Sequence, residues 1–139
     1  MIPAFPAVAA TTAGALLVLQ MLLGFATSGA RGQAGVWIGT GGNAALERAQ
    51  RRHANLAENA GLFVAGFTVL ELSGRWPTLL LVLCSAFVVL RLVHAAGLSR
   101  ENTNNAARLI GGAGTYLLGL VLGGALAWVG ATAMLAGRA

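Results

Sequence analysis

The stretch Glu47-Arg48-Ala49-Gln50-Arg51-Arg52-His53-Ala54-Asn55-Leu56-Ala57-Glu58 gathers much of the chain's chemistry into about three helical turns. On a helix, Glu47, Arg51, Asn55 and Glu58 stand at i, i+4, i+8 and i+11 and share one face. Arg91 and His94 follow at i and i+3 in a run that is otherwise apolar. Guanidinium groups clamp carboxylates through paired hydrogen bonds, an amide donates and accepts, and a carboxylate accepts from an ammonium. This set suits a small ligand carrying carboxylates and an ammonium. Taken singly, His94 reads more readily as a packing residue than as a ligand or base, and His53 as a solvated interfacial residue. A haem between these two histidines is disfavoured because their depths differ. There is no Cys/His metal spacing, no phosphate loop and no nucleophile elbow.

Depth singles out two of these side chains. Glu58 lies about six residues inside Arg52, roughly 9 Å at the helical rise, and Arg91 lies roughly 10 Å inside Leu98. An ionised side chain within a membrane span costs about 2.5–3.5 kcal/mol and usually finds a partner. Their matched depth on neighbouring antiparallel helices therefore predicts a buried Glu58–Arg91 pair. Such a pair could serve only to pin two helices, but Arg51, Asn55 and His94 converge on the same corner. Glu71 reads as an interfacial partner of Arg75.

The elements that position these residues follow from composition. The chain has 139 residues, 57% hydrophobic and 9% charged, against about 25% charged in a soluble domain. A chain this short has too much surface to hide so much apolar material from water. Lipid as the solvent removes the difficulty, and a hydrocarbon core of roughly 30 Å needs about 20 residues per helical span. Four spans account for the length as a single membrane domain over 1–139: about 4–26, 54–72, 77–98 and 108–134. Pro3 and Pro6 open the first, where helical amides lack intrahelical partners anyway. The segment lacks the basic leader of a signal peptide and reads as a retained span. Thr27 to Gly42 reads as a loop, with a charged helical segment from Ala44 to Arg52 leading into the second span. Ser73-Gly74-Arg75 makes a tight turn before Trp76-Pro77, and Ser99 to Ala107 forms the last loop.

The net charge of +5 comes from nine basic residues, all Arg, against four acidic ones, all Glu. The Arg cluster at the ends of apolar runs, which points to anionic lipid rather than nucleic acid. Arg31, Arg48, Arg51 and Arg52 surround the first loop, and Arg100 and Arg108 the third; the other side has Arg75 and Arg138. Positive charge stays cytoplasmic, so loops one and three face the cytoplasm and both termini face away. Cys84 stands alone in an apolar run, excluding an intrachain disulfide and reading as a small hydrophobe. The fourth span is rich in glycine, with Gly119 and Gly123 forming a small-xxx-small pair that serves either packing within one bundle or a subunit interface.

The pattern Glu47-Arg48-x-x-Arg51-x-His53-x-Asn55-x-x-Glu58-Asn59 resembles the signature of the MAPEG family, the membrane-associated proteins in eicosanoid and glutathione metabolism. Leu70-Glu71-Leu72 and Arg91-Leu92-Val93-His94-Ala95-Ala96-Gly97-Leu98 resemble its bacterial branch, and the likeness covers about residues 45–120. The resemblance implies an all-α, integral membrane four-helix bundle, typically a homotrimer, that binds glutathione between subunits near the cytoplasmic face. It places Arg51, Asn55, Glu58, Arg91 and His94 at glutathione-contacting positions. Arg108 falls at about the position of the Arg that stabilises the glutathione thiolate. A thiol with a pKa near 8.5 needs such a cation to ionise at neutral pH. Three positions depart from the pattern: Ala54 where some members have Arg, and Leu98 and Gly112 where eicosanoid-synthesising members have Tyr, with Tyr116 a turn further on.

The expected activity is therefore a glutathione (or related thiol) transferase or peroxidase in a prokaryotic plasma membrane. Glutathione would be its co-substrate, and lipophilic electrophiles would arrive from the bilayer. The alternative is a noncatalytic protein of the same fold that binds lipid or a small anion. A small multidrug transporter is disfavoured because the first span has no acidic residue for proton coupling.

Overall fold

Two asparagines set where helices begin. Asn43 Oδ1 accepts from the Leu46 N–H at 3.0 Å and opens α2 (Ala44–Leu72), and Asn105 Oδ1 accepts from the Arg108 N–H at 3.1 Å and opens α4 (Ala106–Ala136). Each satisfies an amide that the first helical turn cannot pair internally. Pro77 stands at the start of α3 (Pro77–Leu98), and α1 (Ala7–Ala34) ends on Gly35 in the left-handed conformation. This computed structural model describes residues 5–137; Pro3, Ala4 and Arg138 lie outside the described residues.

The first helix departs from the expected loop at Thr27–Gly42: it continues to Ala34. Tertiary contact overrides the loop-like composition. Thr27 Oγ1 donates to Leu23 O at 2.9 Å within its own helix and lies 3.1 Å from Ala49 O of α2. The remaining connection is gathered by Arg31, whose Nη1 lies 3.0–3.3 Å from the carbonyls of Val36, Trp37 and Gly39.

The N-terminus of α1 is capped from outside the helix. The Glu71 carboxylate, in the last turn of α2, accepts from the N–H groups of Val8 at 3.0 Å and Ala9 at 2.8 Å. This replaces the expected Glu71–Arg75 pair. Helix-end amides away from water have no other acceptor, and the positive end of the helix dipole favours a carboxylate there.

α2 and α3 form the middle of the bundle, with α1 packed on one flank and α4 on the other; α1 and α4 do not meet. Phe63 and Phe67 of α2 and Phe87 of α3 fill its centre, with the Phe63 and Phe87 rings stacked at 4.0 Å. α1, α3 and α4 are each long and apolar enough to cross a membrane. α2 carries more charge, since Glu47, Arg48, Arg51, Arg52 and Glu58 crowd its first half. At 1.5 Å per residue, α2 and α4 run roughly 45 Å, well past a hydrocarbon core of roughly 30 Å. The charged half of α2 can thus stand at the membrane surface.

The glycines of α4 divide by position. A Cβ on Gly111 would come within 2.5 Å of His94 Cβ, and one on Gly114 within 2.7 Å of a Leu90 methyl, so these two allow the close approach of α3 and α4. Gly119 only skirts the Phe63 ring, and Gly123 and Gly124 face open space.

Candidate functional site

A cavity of about 450 Å³ opens between α2, α3 and α4 at the Arg-rich end of the bundle. Arg51, Asn55 and Glu58 line it from α2, spaced to share a helix face. His94 and Leu98 line it from α3, and Arg108, Gly112 and Tyr116 from α4. The α3–α4 loop closes one side with Thr103, Asn104 and Asn105. A second hollow of about 370 Å³ shares Arg51, Leu98, Thr103 and Arg108 and adds Glu47, Arg48 and Glu101, forming a charged mouth.

Five of the six residues nominated from sequence thus meet at one cavity. The sixth, Arg91, does not line it but lies beneath, 3% exposed. Arg91 Nη1 donates to Asn55 Oδ1 at 2.8 Å and Nη2 to the Gly111 carbonyl at 2.7 Å, and Nη2 also meets Thr115 Oγ1. Its guanidinium carbon lies 5.7 Å from the centre of the Phe87 ring. The expected Glu58–Arg91 pair is therefore not the arrangement found. Glu58 is exposed at the cavity wall, and an amide from one turn earlier occupies the place expected for its carboxylate. Matched depth along two helices does not fix matched azimuth. Arg91 faces the interior, where neutral oxygens can reach it, whereas Glu58 faces the cavity.

Arg91 has become the support of the site. It ties α2 to α4 and fixes the Asn55 side chain. His94 is fixed by a different bond, with its Nδ1 3.1 Å from the Arg108 carbonyl oxygen. The glycine at position 111 lets the two helices approach closely beside it. Arg108 Nη1 reaches the Thr103 carbonyl at 3.3 Å, bracing the loop that borders the cavity. His53 is half-buried against Gly24 of α1, on the flank of α2 away from His94, so the two histidines do not share a site.

A MAPEG family model matches residues 9–128, from the first turn of α1 deep into α4. The chain belongs to the MAPEG family. No curated protein and no solved structure matches it. MAPEG membership extends beyond the charged motif to the whole bundle. Leu98 and Gly112, the two departures from the tyrosines of eicosanoid-synthesising MAPEG members, both lie at the cavity wall. The wall there is consequently apolar and open. Tyr116, 73% exposed, supplies the aromatic hydroxyl one turn further along the face that Arg108 and Gly112 begin. Tyr116, Thr115 and the Thr103–Asn105 segment were not nominated from sequence. A signal for Tyr116 was present in its i, i+4, i+8 spacing from Arg108 and Gly112. Thr115 is a small polar residue four positions after Gly111 in an apolar helix, the usual form of a buried partner.

Proposed function

We propose that this protein conjugates glutathione, or a closely related thiol, to lipophilic electrophiles as a homotrimer in a prokaryotic plasma membrane. The observation that carries the proposal is the convergence of Arg51, Asn55, Glu58, His94 and Arg108 on one cavity at the Arg-rich end of an apolar bundle. Arg51 and Arg108 offer guanidinium groups to the carboxylates of the tripeptide. Glu58 accepts from its ammonium, Asn55 contacts its backbone, and His94 stands beside it at the cavity wall. Arg91 holds Asn55 in place. Arg108 lowers the pKa of the thiol by favouring the thiolate. The reaction joins the thiol sulfur to the electrophilic carbon: the S–H bond breaks and a C–S bond forms. The leaving group departs as its anion, or, for an activated alkene, the carbon takes up a proton.

Trimer formation is supported by what a single copy would leave to lipid. Arg51, Glu58 and Arg108 are exposed beside the cavity, and α4 presents Leu109, Leu117, Leu120 and open glycines on its outer face. An apolar helix face with open glycines beside a polar cavity is the kind of surface on which a neighbouring chain packs. The orientation we propose puts the Arg-rich end in the cytoplasm and both termini outside, so glutathione enters from the cytosol through the charged mouth while the electrophile diffuses in from the bilayer.

The test is purified protein in detergent, titrated with glutathione while the ultraviolet absorbance of the thiolate is followed, then challenged with a chlorinated nitroarene. Saturable thiolate formation and conjugate are expected. Arg108→Ala should stay folded, bind glutathione with a modest loss and give no thiolate. Binding without conjugation would reject the transferase reading, and no binding would reject the glutathione reading and leave the noncatalytic protein that binds lipid or another small anion.

A further inference from the structure

Resting on the proposed function, we infer that His94 is the base that takes the thiol proton, through Nε2, and gives it up again once the product has formed. The inference begins with what else lines the cavity. Arg51 and Arg108 are cations with no proton-accepting capacity. Tyr116 offers a hydroxyl that can donate to an anion, and Asn55, Asn104 and Asn105 carry amides that take no proton. Glu58 is exposed on α2, across the cavity from the Arg108 backbone, and is taken by the ammonium of the ligand. His94 is the remaining group at the cavity with a ring nitrogen whose lone pair can take a proton.

Geometry then selects the nitrogen. A carbonyl oxygen can only accept, so the 3.1 Å contact between His94 Nδ1 and Arg108 O requires the hydrogen to sit on Nδ1. The neutral ring consequently carries its lone pair on Nε2, which has no hydrogen-bond partner among the described residues while the ring lines the cavity. Gly112 adjoins the Cε1–Nδ1 edge of the ring, where a Cβ would stand 3.6 Å from His94 Cε1, and the histidine as a whole is 8% exposed. One residue therefore does two things, since the backbone of Arg108 orients the base while its guanidinium faces the same cavity. The step balances without any further reactant. The thiol S–H bond breaks, its proton forms Nε2–H, and the sulfur keeps the electron pair beside Arg108. After the C–S bond forms, Nε2–H protonates the carbanion of an activated alkene or, where a halide leaves as its anion, gives its proton to water, and the ring is neutral again. The charged groups facing the ring are Arg91 on its own helix, Arg108 on α4 and, across the cavity, Arg51 and Glu58 on α2.

His94→Asn tests this, because the shorter amide can still donate to the Arg108 carbonyl but cannot accept the proton. Stopped-flow mixing with glutathione should show binding within about threefold of the unaltered protein. Thiolate formation should be about 100-fold slower at neutral pH, within the usual range for removing a general base, and should climb with hydroxide concentration. Arg108→Gln should instead lower the final thiolate absorbance. A second measurement does not depend on that variant folding. In a His53→Gln background one histidine remains, and the shifts of its isotope-labelled ring nitrogens give the tautomer directly. An Nδ1–H ring supports the inference, and an Nε2–H ring overturns it. Unchanged thiolate kinetics in His94→Asn would overturn it while leaving the glutathione reading intact. No thiolate in the unaltered protein would overturn both.

Discussion

Arg91 is a buried cation held by neutral oxygens, and that makes its partners more sensitive than the Arg itself. Asn55→Leu removes the acceptor of Nη1 and leaves the charge in place, in a guanidinium whose Nε already has no partner. A hydrogen bond to a charged group is worth about 1.5–3 kcal/mol, and the loss should fall in that range. Arg91→Met removes the charge together with its donors. Gly111 O then keeps the Thr115 hydroxyl at 2.8 Å, and Asn55 Oδ1 turns to the cavity, so no acceptor is stranded. The loss should be about 1 kcal/mol, because desolvation of the cation is no longer opposed to folding. The double variant should match Arg91→Met alone, giving a coupling of about 1.5–3 kcal/mol in a double-mutant cycle. Reversible unfolding in mixed detergent micelles measures all three. Arg91→Met proving worse than Asn55→Leu, or losses that simply add, would refute the reasoning.

Glu58→Gln should change stability by less than about 0.5 kcal/mol, as for an exposed site, and its effect should add to that of Arg91→Met in the same unfolding assay while glutathione binding weakens. Gly111→Ala should lower stability by about 1–3 kcal/mol or more, since its Cβ would press on the His94 backbone; Gly124→Ala, which meets nothing within 4 Å, should leave the protomer's unfolding curve unchanged. Glu71→Ala should cost about 1 kcal/mol by uncapping α1, and faster proteolysis at the N-terminal end of α1 should accompany it.

The all-helical membrane architecture was legible because hydropathy and length act through the solvent: lipid demands internally paired backbone, and apolar runs of sufficient length meet that demand as helices. The start of α2 was legible from Asn43, a local cap, and the shared face of Arg51, Asn55 and Glu58 from the helical period alone. Local signals failed where a distant group decided the outcome. Thr27–Ala34 has the composition of a loop and is helical where α2 lies alongside. Glu71 sits four residues from Arg75 in sequence and bonds instead to amides 62 and 63 positions away.

What the sequence by itself determined is therefore the set of residues and their depth, since the rise of a helix is a property of its own backbone. What only the tertiary structure decided is azimuth and partner. The rotation of α3 against α4 turns Arg91 inward to Asn55, Gly111 and Thr115, and leaves His94 at the cavity wall bonded through Nδ1. That rotation is fixed by the close approach at Gly97, Gly111 and Gly114, where a missing side chain on one helix admits the backbone or side chain of the other. The space left by an absent Cβ acquires meaning only when the second helix is present to fill it.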